Sequence, residues 1–343
     1  MIGVRENLQP ITYNLYFMDN RFDKVVEEIM RGKNFLVVSH VSPEGDAVGS
    51  ALAMGLGLKE FGKDATVFLH DNVPDVFMFL PGADNVVHNI DGNAAFDATI
   101  VVDCGQIDRL GDNFKKIKNC GRIINIDHHI TNDSFGDINI ITPDASAAGE
   151  MVFDLLNAMQ VKITKEIAIN IYTAVMTDTG SFRYSGTTPH SLEIAAQMIR
   201  AGVDPWDISQ RVYESYPAKR FKLLGMVLNT LEVIENGKIA TLIVTLDMLK
   251  NADTDKDVAD GFVNYARSIS GVEVGILFRE VWSGEYKVSF RSRGNVDVSE
   301  VGVMFGGGGH KNAAGCSVKG TIEEAKNKII AAAAKKVKGI VNK

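Results

Sequence analysis

Short apolar runs recur along the first half of the chain, and each run ends in polar residues. Four of them are rich in β-branched residues and lie at 35–39, 65–69, 99–103 and 122–127. Nearly continuous apolar runs are typical of strands buried on both faces of a parallel sheet. Helical patterns at 47–61, 145–158 and 165–175 lie between or after these runs. The alternation predicts an α/β domain with a doubly wound, mainly parallel sheet.

The pattern changes after Gly202. A helix is predicted over 218–228, and apolar segments at 231–234 and 239–245 flank an Asn236-Gly237 dipeptide, which is a strong hairpin indicator. A second pair of segments flanks Ser283-Gly284, and an Ala/Lys-rich helix is predicted over 322–337. We therefore predict an α/β domain over 20–200, a helical linker over 201–229 and a smaller α+β domain over 230–343.

Composition narrows the classes of protein that fit. No segment approaches the roughly 20 apolar residues that span a bilayer, and no targeting pattern fits the first 20 residues. The formal net charge of −7 argues against a protein that coats long nucleic acid, but not against a small anionic substrate held by a few arginines. The three scattered cysteines, Cys104, Cys120 and Cys316, indicate reduced thiols. We expect a soluble cytoplasmic protein with no membrane partner.

Acids and histidines stand where predicted strands or helices end. Four separate segments contribute them: His40, Glu44, Asp46, Asp103, Asp127-His128-His129 and Asp178. In an open parallel sheet, the carboxyl ends of the strands line the ligand crevice, so these segments should meet at one edge. A single strand-end Asp is more often a helix cap than a ligand, but four such segments in succession are hard to explain as caps.

Carboxylates with few imidazoles and no thiolate are ligands that suit Mn²⁺ or Mg²⁺ rather than structural zinc. The set is large enough to hold two ions that share one carboxylate. Two ions roughly 3.5–4 Å apart can stabilise an in-line phosphoryl displacement and convert a water into hydroxide. The residues therefore predict metal-assisted phosphoryl chemistry.

The same residues resemble the motifs of a known family. His40-Val-Ser-Pro-Glu-Gly-Asp46, Val101-Val-Asp103, Asp127-His128-His129 and Thr177-Asp178-Thr-Gly-Ser are similar to the four motifs of the DHH phosphoesterase superfamily. Phe305-Gly-Gly-Gly-Gly-His310 resembles the glycine-rich motif of the associated substrate domain. The resemblance covers about residues 20–335, in order. It is strongest to the RecJ-related NrnA type, which combines oligoribonuclease (nanoRNase) activity with phosphoadenosine-phosphate phosphatase activity.

The resemblance implies a role for each residue. One Mn²⁺ would be held by His40, Glu44 and Asp103, and a second by Asp46, Asp103, His128 and Asp178. Asp103 would bridge the ions, and His129 would face the scissile phosphate, so that Asp46, Asp103 and His129 form the catalytic group. Position 44 departs from the family, which usually has Asp there; the Glu carboxylate reaches one methylene further.

A glycine run is usually a flexible linker, but here it is followed by His310-Lys311. Glycines allow close backbone approach to a ligand, and successive N–H groups can form an anion-binding nest. The resemblance implies that Arg291, Gly308, Gly309 and His310 bind the terminal phosphate or base of the substrate. Surface arginines are mostly solvated, so Arg267 and Arg279 are weaker candidates.

We expect hydrolysis of short RNA or DNA oligonucleotides, dinucleotides or phosphoadenosine phosphate. Mn²⁺ is the expected cofactor, with Mg²⁺ as a substitute. The resemblance also implies a homodimer. A RecJ-like single-strand exonuclease shares the motifs but usually carries a further nucleic-acid-binding module. A family II pyrophosphatase uses a different second domain, and a cyclic-dinucleotide phosphodiesterase would bring membrane or sensory segments. A catalytically weak nucleotide-binding module is the alternative from a different class. Substrate preference and polarity of attack stay open.

Overall fold

The computed structural model describes residues 20–294 and 296–341, and the chain divides into two compact units, one ending at Ser215 and the other beginning at Tyr216. The unassigned leader, residues 1–19, lies outside the described residues. Across the part of the chain that the structure describes, no helix has both the length and the apolar character that crossing a membrane requires.

The first unit alternates strands and helices. Its strands are β1 (Asn34–Val38), β2 (Asp64–Phe68), β3 (Ala98–Val102), β4 (Arg122–Asp127) and β5 (Ile138–Ile141). Its helices are α1 (Asp23–Arg31), α2 (Gly45–Glu60), α3 (Ala148–Ala158), α4 (Lys165–Asp178), α5 (Pro189–Arg200) and α6 (Pro205–Tyr213). The four predicted strands are confirmed, whereas β5, α1 and α5 were not predicted. Helix α4 runs to Asp178, so this residue ends the helix instead of following it.

All five strands are parallel, in the order β2-β1-β3-β4-β5. The chain leaves β1 toward one edge of the sheet and leaves β3 toward the other, so the strand order reverses between these two neighbours. The crevice outside the carboxyl ends of strands at such a switch point is the usual ligand site of open α/β sheets. The predicted doubly wound α/β architecture is confirmed.

The two faces of the sheet are covered differently. Phe35 and Val37 pack in the cluster that contains the buried sides of the helices. Leu36 and Val38 face a smaller cluster that includes Leu110, from the connection between β3 and β4, where the structure forms short 3₁₀ turns. Because both faces are buried, the strands consist of apolar runs without alternation.

The second unit is built on a mixed six-stranded sheet in the order β10-β11-β9-β8-β7-β6. Its strands are β6 (Glu232–Ile234), β7 (Ile239–Val244), β8 (Val274–Trp282), β9 (Glu285–Ser292), β10 (Gly308–His310) and β11 (Ala313–Lys319). Its helices are α7 (Ala218–Leu228), α8 (Leu246–Asn251), α9 (Val263–Arg267), α10 (Ser299–Met304) and α11 (Ile322–Val341). Strands β7 and β8 are parallel, and the remaining neighbours are antiparallel. Both predicted hairpins and the α+β class are confirmed.

Helix α2 presents the first acidic residues of the site, so its packing matters for function. It contacts α4 through Gly49, where an added Cβ would lie 2.6 Å from the carbonyl oxygen of Asn170 and 3.0 Å from the Cβ of Ala174. Real Cβ atoms do not approach backbone oxygen this closely, so the two helices require glycine at this position. The close contact fixes the start of α2 relative to the end of α4, the helix that ends at Asp178.

We predict that Gly49→Ala destabilises the protein by about 1–3 kcal/mol, because the two helices must separate to admit the methyl group. Gly225→Ala is the matched control: Gly225 lies inside α7, is exposed, and has open space around its missing Cβ. That change should stabilise by about 0.5–1 kcal/mol through helix propensity. Urea unfolding measures both, and equal stabilities for wild type and Gly49→Ala would contradict the close-packing argument.

Candidate functional site

The first group of candidate ligands lies between the ends of β1 and β3. His40 Nε2 is 3.3 Å from Glu44 Oε2 and 3.5 Å from Asp103 Oδ2. His40 Nδ1 lies 2.8 Å from the carbonyl oxygen of Val41. The carbonyl can only accept and therefore favours a proton on Nδ1, although Arg109 Nη2, which can only donate, lies 3.2 Å from the same nitrogen. Nε2 is the nitrogen directed at the two carboxylates. Glu44 is also the N-cap of α2 and accepts from the backbone N–H of Ala47.

The second group brings together residues from three other segments. His128 Nε2 lies 3.7 Å from Asp46 Oδ2, 3.5 Å from Asp103 Oδ1 and 3.7 Å from Asp178 Oδ2. His128 Nδ1 is 3.1 Å from the carbonyl oxygen of Ala145, which favours a proton on Nδ1 and leaves Nε2 for the carboxylates. Both histidines are thus oriented by backbone carbonyls, as metal-ligating histidines commonly are.

Asp46 is held at a helix N-terminus. Its Oδ2 accepts from the backbone N–H of Ala148 at 2.6 Å and its Oδ1 from that of Gly149 at 2.9 Å. These N–H groups begin α3, whose dipole favours a negative charge there. Burial, together with the charges of Asp103 and Asp178, nevertheless raises the pKa of Asp46 well above its usual range. The two backbone N–H groups favour the carboxylate form, and a positive charge nearby would offset the repulsion from Asp103 and Asp178.

Asp103 joins the two groups. One of its oxygens faces His40 and the other faces His128, and its side chain is almost completely buried. Its backbone adopts φ +54°, a left-handed conformation that is rare for a non-glycine residue and costs energy that the surrounding structure must offset. The backbone N–H of Asp103 donates to Ile126 O at 3.0 Å, which fixes this bend against β4.

The carboxylates determine the protonation of the imidazoles. Burial opposes a charge on His40, but hydrogen bonds and attraction to Asp103 and Glu44 outweigh it and raise the pKa of His40 to about 10. Burial also acts to raise the pKa of Asp103, but hydrogen bonds from His128 and His40 hold that pKa well below its usual range. Burial raises the pKa of Asp178 to about 6. Protons on the imidazoles therefore supply positive charge, which offsets the repulsion among these carboxylates.

These side chains fit a divalent cation. Ligand atoms within 4.8 Å of one another form the groups His40–Glu44–Asp103 and Asp46–His128–Asp178, so the structure brings together all six residues that sequence analysis assigned to metal. Asp103 Oδ1 is buried and accepts no hydrogen bond of normal geometry from the described residues, which leaves a lone pair for a metal. The donors are carboxylate oxygens and imidazole nitrogens, the set that suits such ions.

His129 has a different environment. A third group could combine it with Asp103 and His128, but its Nδ1 lies 2.7 Å from Asp127 Oδ1, a much shorter distance than the 3.6 Å to Asp103 Oδ1. With Nδ1–H donated to Asp127, Nε2 is the nitrogen that can face a substrate atom. The local geometry thus favours the predicted substrate-facing role over metal ligation.

Sequence analysis gave no role to several residues of the site. Arg109 Nη2 lies 3.2 Å from His40 Nδ1, and the carbonyl of Arg109 accepts from the Val41 backbone N–H. Asn125 is fully buried on β4. The sequence could have indicated Asn125, because it is a polar residue inside an otherwise apolar central strand. Nothing in the spacing of residues along the sequence indicates Arg109.

The predicted substrate residues lie in the second unit. Strand register aligns Arg291 on β9 with Ala313 on β11, and Ala313 with His310 on β10, so the backbones of Arg291 and His310 are two strands apart in one row. The side chain of His310 lies outside the described part of the chain. Arg291 lines a cavity of about 280 Å³ together with Arg279 and Ser289. Sequence analysis treated Arg279 as a weaker candidate, yet it shares this cavity.

The glycine run divides into two pairs. The N–H groups of Gly306 and Gly307 donate to the carbonyls of Val303 and Gly302 and end α10, so the expectation of a nest of successive free N–H groups is wrong for these two. Gly308 and Gly309 belong to β10. At Gly307, an added Cβ would lie 2.0 Å from the carbonyl oxygen of Gly315. Because the run ends a helix, packs closely at Gly307 and begins a strand, it is not a flexible linker.

Comparisons with known proteins identify related families and proteins. The model of the DHH family, N-terminal domain, matches residues 34–177, and that of the DHHA1 domain matches residues 236–339. The bifunctional oligoribonuclease and PAP phosphatase NrnA of Thermus thermophilus is 33% identical over 299 residues, which are 87% of this chain and 88% of the relative. The protein of the same name from Bacillus subtilis is 27% identical over 81% of this chain and 87% of its own length.

A solved structure is also similar along its whole length. The crystal structure of an exopolyphosphatase-related protein from Bacteroides fragilis superimposes with a TM-score of 0.87 and 31% sequence identity. The match covers 94% of this chain and 98% of that one.

We predict that Mn²⁺ binds the first unit and raises the melting temperature of the protein. Asp103→Asn should lower the affinity for Mn²⁺ by at least about 100-fold, because even residues that only contact a metal ligand contribute roughly 10- to 100-fold to affinity. Calorimetric titration without substrate measures the affinity. Asp97→Asn is the matched control: Asp97 lies just before the opposite end of β3 and accepts from the backbone N–H groups of Lys33 and Asn34. Equal affinity in Asp103→Asn and wild type would remove Asp103 from the ligand set.

Proposed function

The chain belongs to the DHH family, and from this we propose that it is a divalent-metal-dependent phosphoesterase that hydrolyses short oligonucleotides and phosphoadenosine phosphate. The observation that carries the proposal is the meeting of six acids and histidines, from four segments, at the carboxyl ends of a parallel sheet. The relative of 33% identity, aligned over 88% of its length, is named for both activities.

We propose that each of the two domains has its own task. The α/β domain, residues 20–200, would carry out the chemistry; residues 201–229 would connect it to the domain over 230–343, which would bind substrate. The family models support this division, because the DHH match lies within the first domain and the DHHA1 match within the second.

The proposed cofactor is two Mn²⁺ ions, with Mg²⁺ as a substitute. His40, Glu44 and Asp103 would hold one ion, and Asp46, His128 and Asp178, with Asp103 shared, would hold the other. When bound, the ions would polarise the phosphoryl group and lower the pKa of a water. The extra methylene of Glu44 is compatible with its position, since its Oε2 lies 3.3 Å from His40 Nε2 while its Oε1 caps α2.

His129 would act on the substrate directly. Asp127 is buried, and although burial acts to raise its pKa, the hydrogen bond to His129 holds that pKa below its usual value, so Asp127 is a carboxylate that accepts from His129 Nδ1–H. An imidazolium whose Nδ1–H is bound by a carboxylate presents Nε2–H to the substrate, as in other Asp–His pairs. We propose that Nε2–H faces the scissile phosphate at its leaving oxygen and protonates that oxygen as the ester bond breaks.

The experiment that tests the function is a turnover screen with purified protein and Mn²⁺. RNAs of graded length, phosphoadenosine phosphate and pyrophosphate are offered in parallel, and products are separated by chromatography. We expect the shortest RNAs and phosphoadenosine phosphate to be hydrolysed, excess chelator to stop turnover and Mn²⁺ to restore it best.

Turnover that persists after verified metal removal would refute the metal-dependent mechanism. Tight binding of nucleotide and Mn²⁺ without turnover would instead support a nucleotide-binding module. Preference for long single strands would favour a RecJ-like exonuclease over the proposed function.

We propose that Arg291, Gly308, Gly309 and His310 bind the terminal phosphate or base. Because a charge-assisted hydrogen bond contributes about 1.5–3 kcal/mol, Arg291→Ala should lower kcat/KM for short substrates by roughly 10- to 150-fold. Mn²⁺ affinity should not change. Arg293→Ala is the matched control, because Arg293 follows the same strand and is exposed but does not line the cavity. A loss of kcat/KM confined to long RNA would contradict binding of the terminal phosphate by Arg291.

A further inference from the structure

Asn132 lies in the loop after β4, and its side-chain amide is surrounded by hydrogen-bonding groups. Its Nδ2 lies 2.5 Å from Asp127 Oδ2, 2.8 Å from Asn125 Oδ1 and 3.3 Å from the carbonyl oxygen of Cys104. Its Oδ1 accepts from the backbone N–H of Ser134 at 2.7 Å. One short side chain therefore connects the loop, the inside of β4 and the segment that follows Asp103.

Two side-chain partners of Asn132 are buried, so the loss of their hydrogen bonds would be costly. Asp127 and Asn125 are both fully buried. A buried carboxylate is costly unless each oxygen is hydrogen-bonded, and leaving a buried polar group unsatisfied costs more than the bond itself contributes. Asp127 Oδ1 accepts from His129 Nδ1, and Oδ2 accepts from Asn132. The two contacts together fix the plane of the carboxylate.

The backbone of the loop is fixed at the same place. The N–H of Asn132 donates to the carbonyl of His129 at 3.1 Å, and the N–H of Asp133 donates to the carbonyl of Gly105 at 3.0 Å. Asn125 Nδ2 donates to the carbonyl of Cys104 at 3.0 Å. The residues that orient His129 are thus tied to the chain immediately after Asp103.

We infer that Asn132 is a positioning residue for the reaction: by holding Asp127, it keeps His129 Nδ1–H on that carboxylate and His129 Nε2 directed at the leaving oxygen of the substrate. The inference rests on the proposed function and deepens it, because it assigns the orientation of the proton donor to an amide outside the DHH motif.

The chemical step in which this orientation matters is cleavage of the phosphate ester. The oxygen of a water forms a bond to phosphorus, the bond from phosphorus to the nucleoside oxygen breaks, and the proton on His129 Nε2 goes to that oxygen. The attacking water releases a proton to solvent, and His129 later regains one from solvent. A misdirected imidazole slows this step only for leaving groups that need the proton.

The test compares two substrates of the same enzyme. One is a dinucleotide, whose sugar alkoxide needs a proton to leave, and the other is the p-nitrophenyl ester of thymidine 5′-monophosphate, whose phenolate leaves without one. General acid catalysis contributes roughly 10²–10⁴-fold, so Asn132→Ala should lower kcat on the dinucleotide by about 10- to 100-fold and on the aryl ester by less than about threefold. In a His129→Gln background, adding Asn132→Ala should cause little further loss.

The matched control is Asn139→Ala. Asn139 braces the neighbouring turn through two hydrogen bonds with Gly136, at 2.9 and 2.6 Å. Its loss should therefore remove comparable local structure and leave the ratio of the two substrate rates unchanged. If Asn132→Ala does not fold, Asn132→Ser, which keeps a shorter donor, replaces it under the same criteria.

Two readouts without turnover separate this inference from the proposed function. Mn²⁺ affinity should stay within about threefold of wild type, because outer-shell changes that act on a metal typically cost 10- to 100-fold. The low-field proton NMR signal of the Asp127–His129 hydrogen bond should shift or disappear in Asn132→Ala and persist in Asn139→Ala. Equal losses on both substrates, a fall in Mn²⁺ affinity, or an unchanged NMR signal would each overturn the inference. Absence of dinucleotide hydrolysis by wild type would contradict the proposed function, and the NMR comparison would still test the role of Asn132.

Discussion

The buried carboxylate of Asp103 stands where two groups of acids and histidines meet, and its charge is the constraint around which the first unit is organised. Carboxylates this close in a poorly solvated place repel one another strongly unless positive charge lies between them. Protons on His40 and His128 supply that charge in the protein alone. The same arrangement would bind divalent cations, which concentrate more charge at the same point.

Hydrogen bonds to backbone groups hold several side chains of this charged cluster in place. The first turn of α3 binds Asp46, and carbonyls of Val41 and Ala145 orient the rings of the two histidines that face the carboxylates. Because these contacts come from helix starts and strand ends, the site depends on the sheet order and on the close packing of α2 against α4. A mutation far from the acids, such as one at Gly49, can therefore disturb the site through the position of α2.

In the second unit, a small sheet brings polar groups from different strands together. Strands β9, β11 and β10 bring Arg291 and the backbone of His310 into one row although 18 residues separate them in the chain. Close backbone approach makes this possible, since a Cβ at Gly309 would lie 2.4 Å from the carbonyl oxygen of Ala313. Arg279 joins Arg291 at one cavity because β8 and β9 are hydrogen-bonded neighbours.

The parallel sheet and the grouping of the acids and histidines were predictable from the amino-acid sequence, because apolar runs indicate strands and residues that follow parallel strands meet at one edge. The sequence also identified both hairpins of the second unit. Three features were visible only in the folded chain: Gly306 and Gly307 end a helix, Arg279 shares the cavity of Arg291, and Asp127, Asn125 and Asn132 form one network beside His129. These outcomes depend on hydrogen-bond distances and burial between segments far apart in the chain, and local periodicity carries no information about such distances.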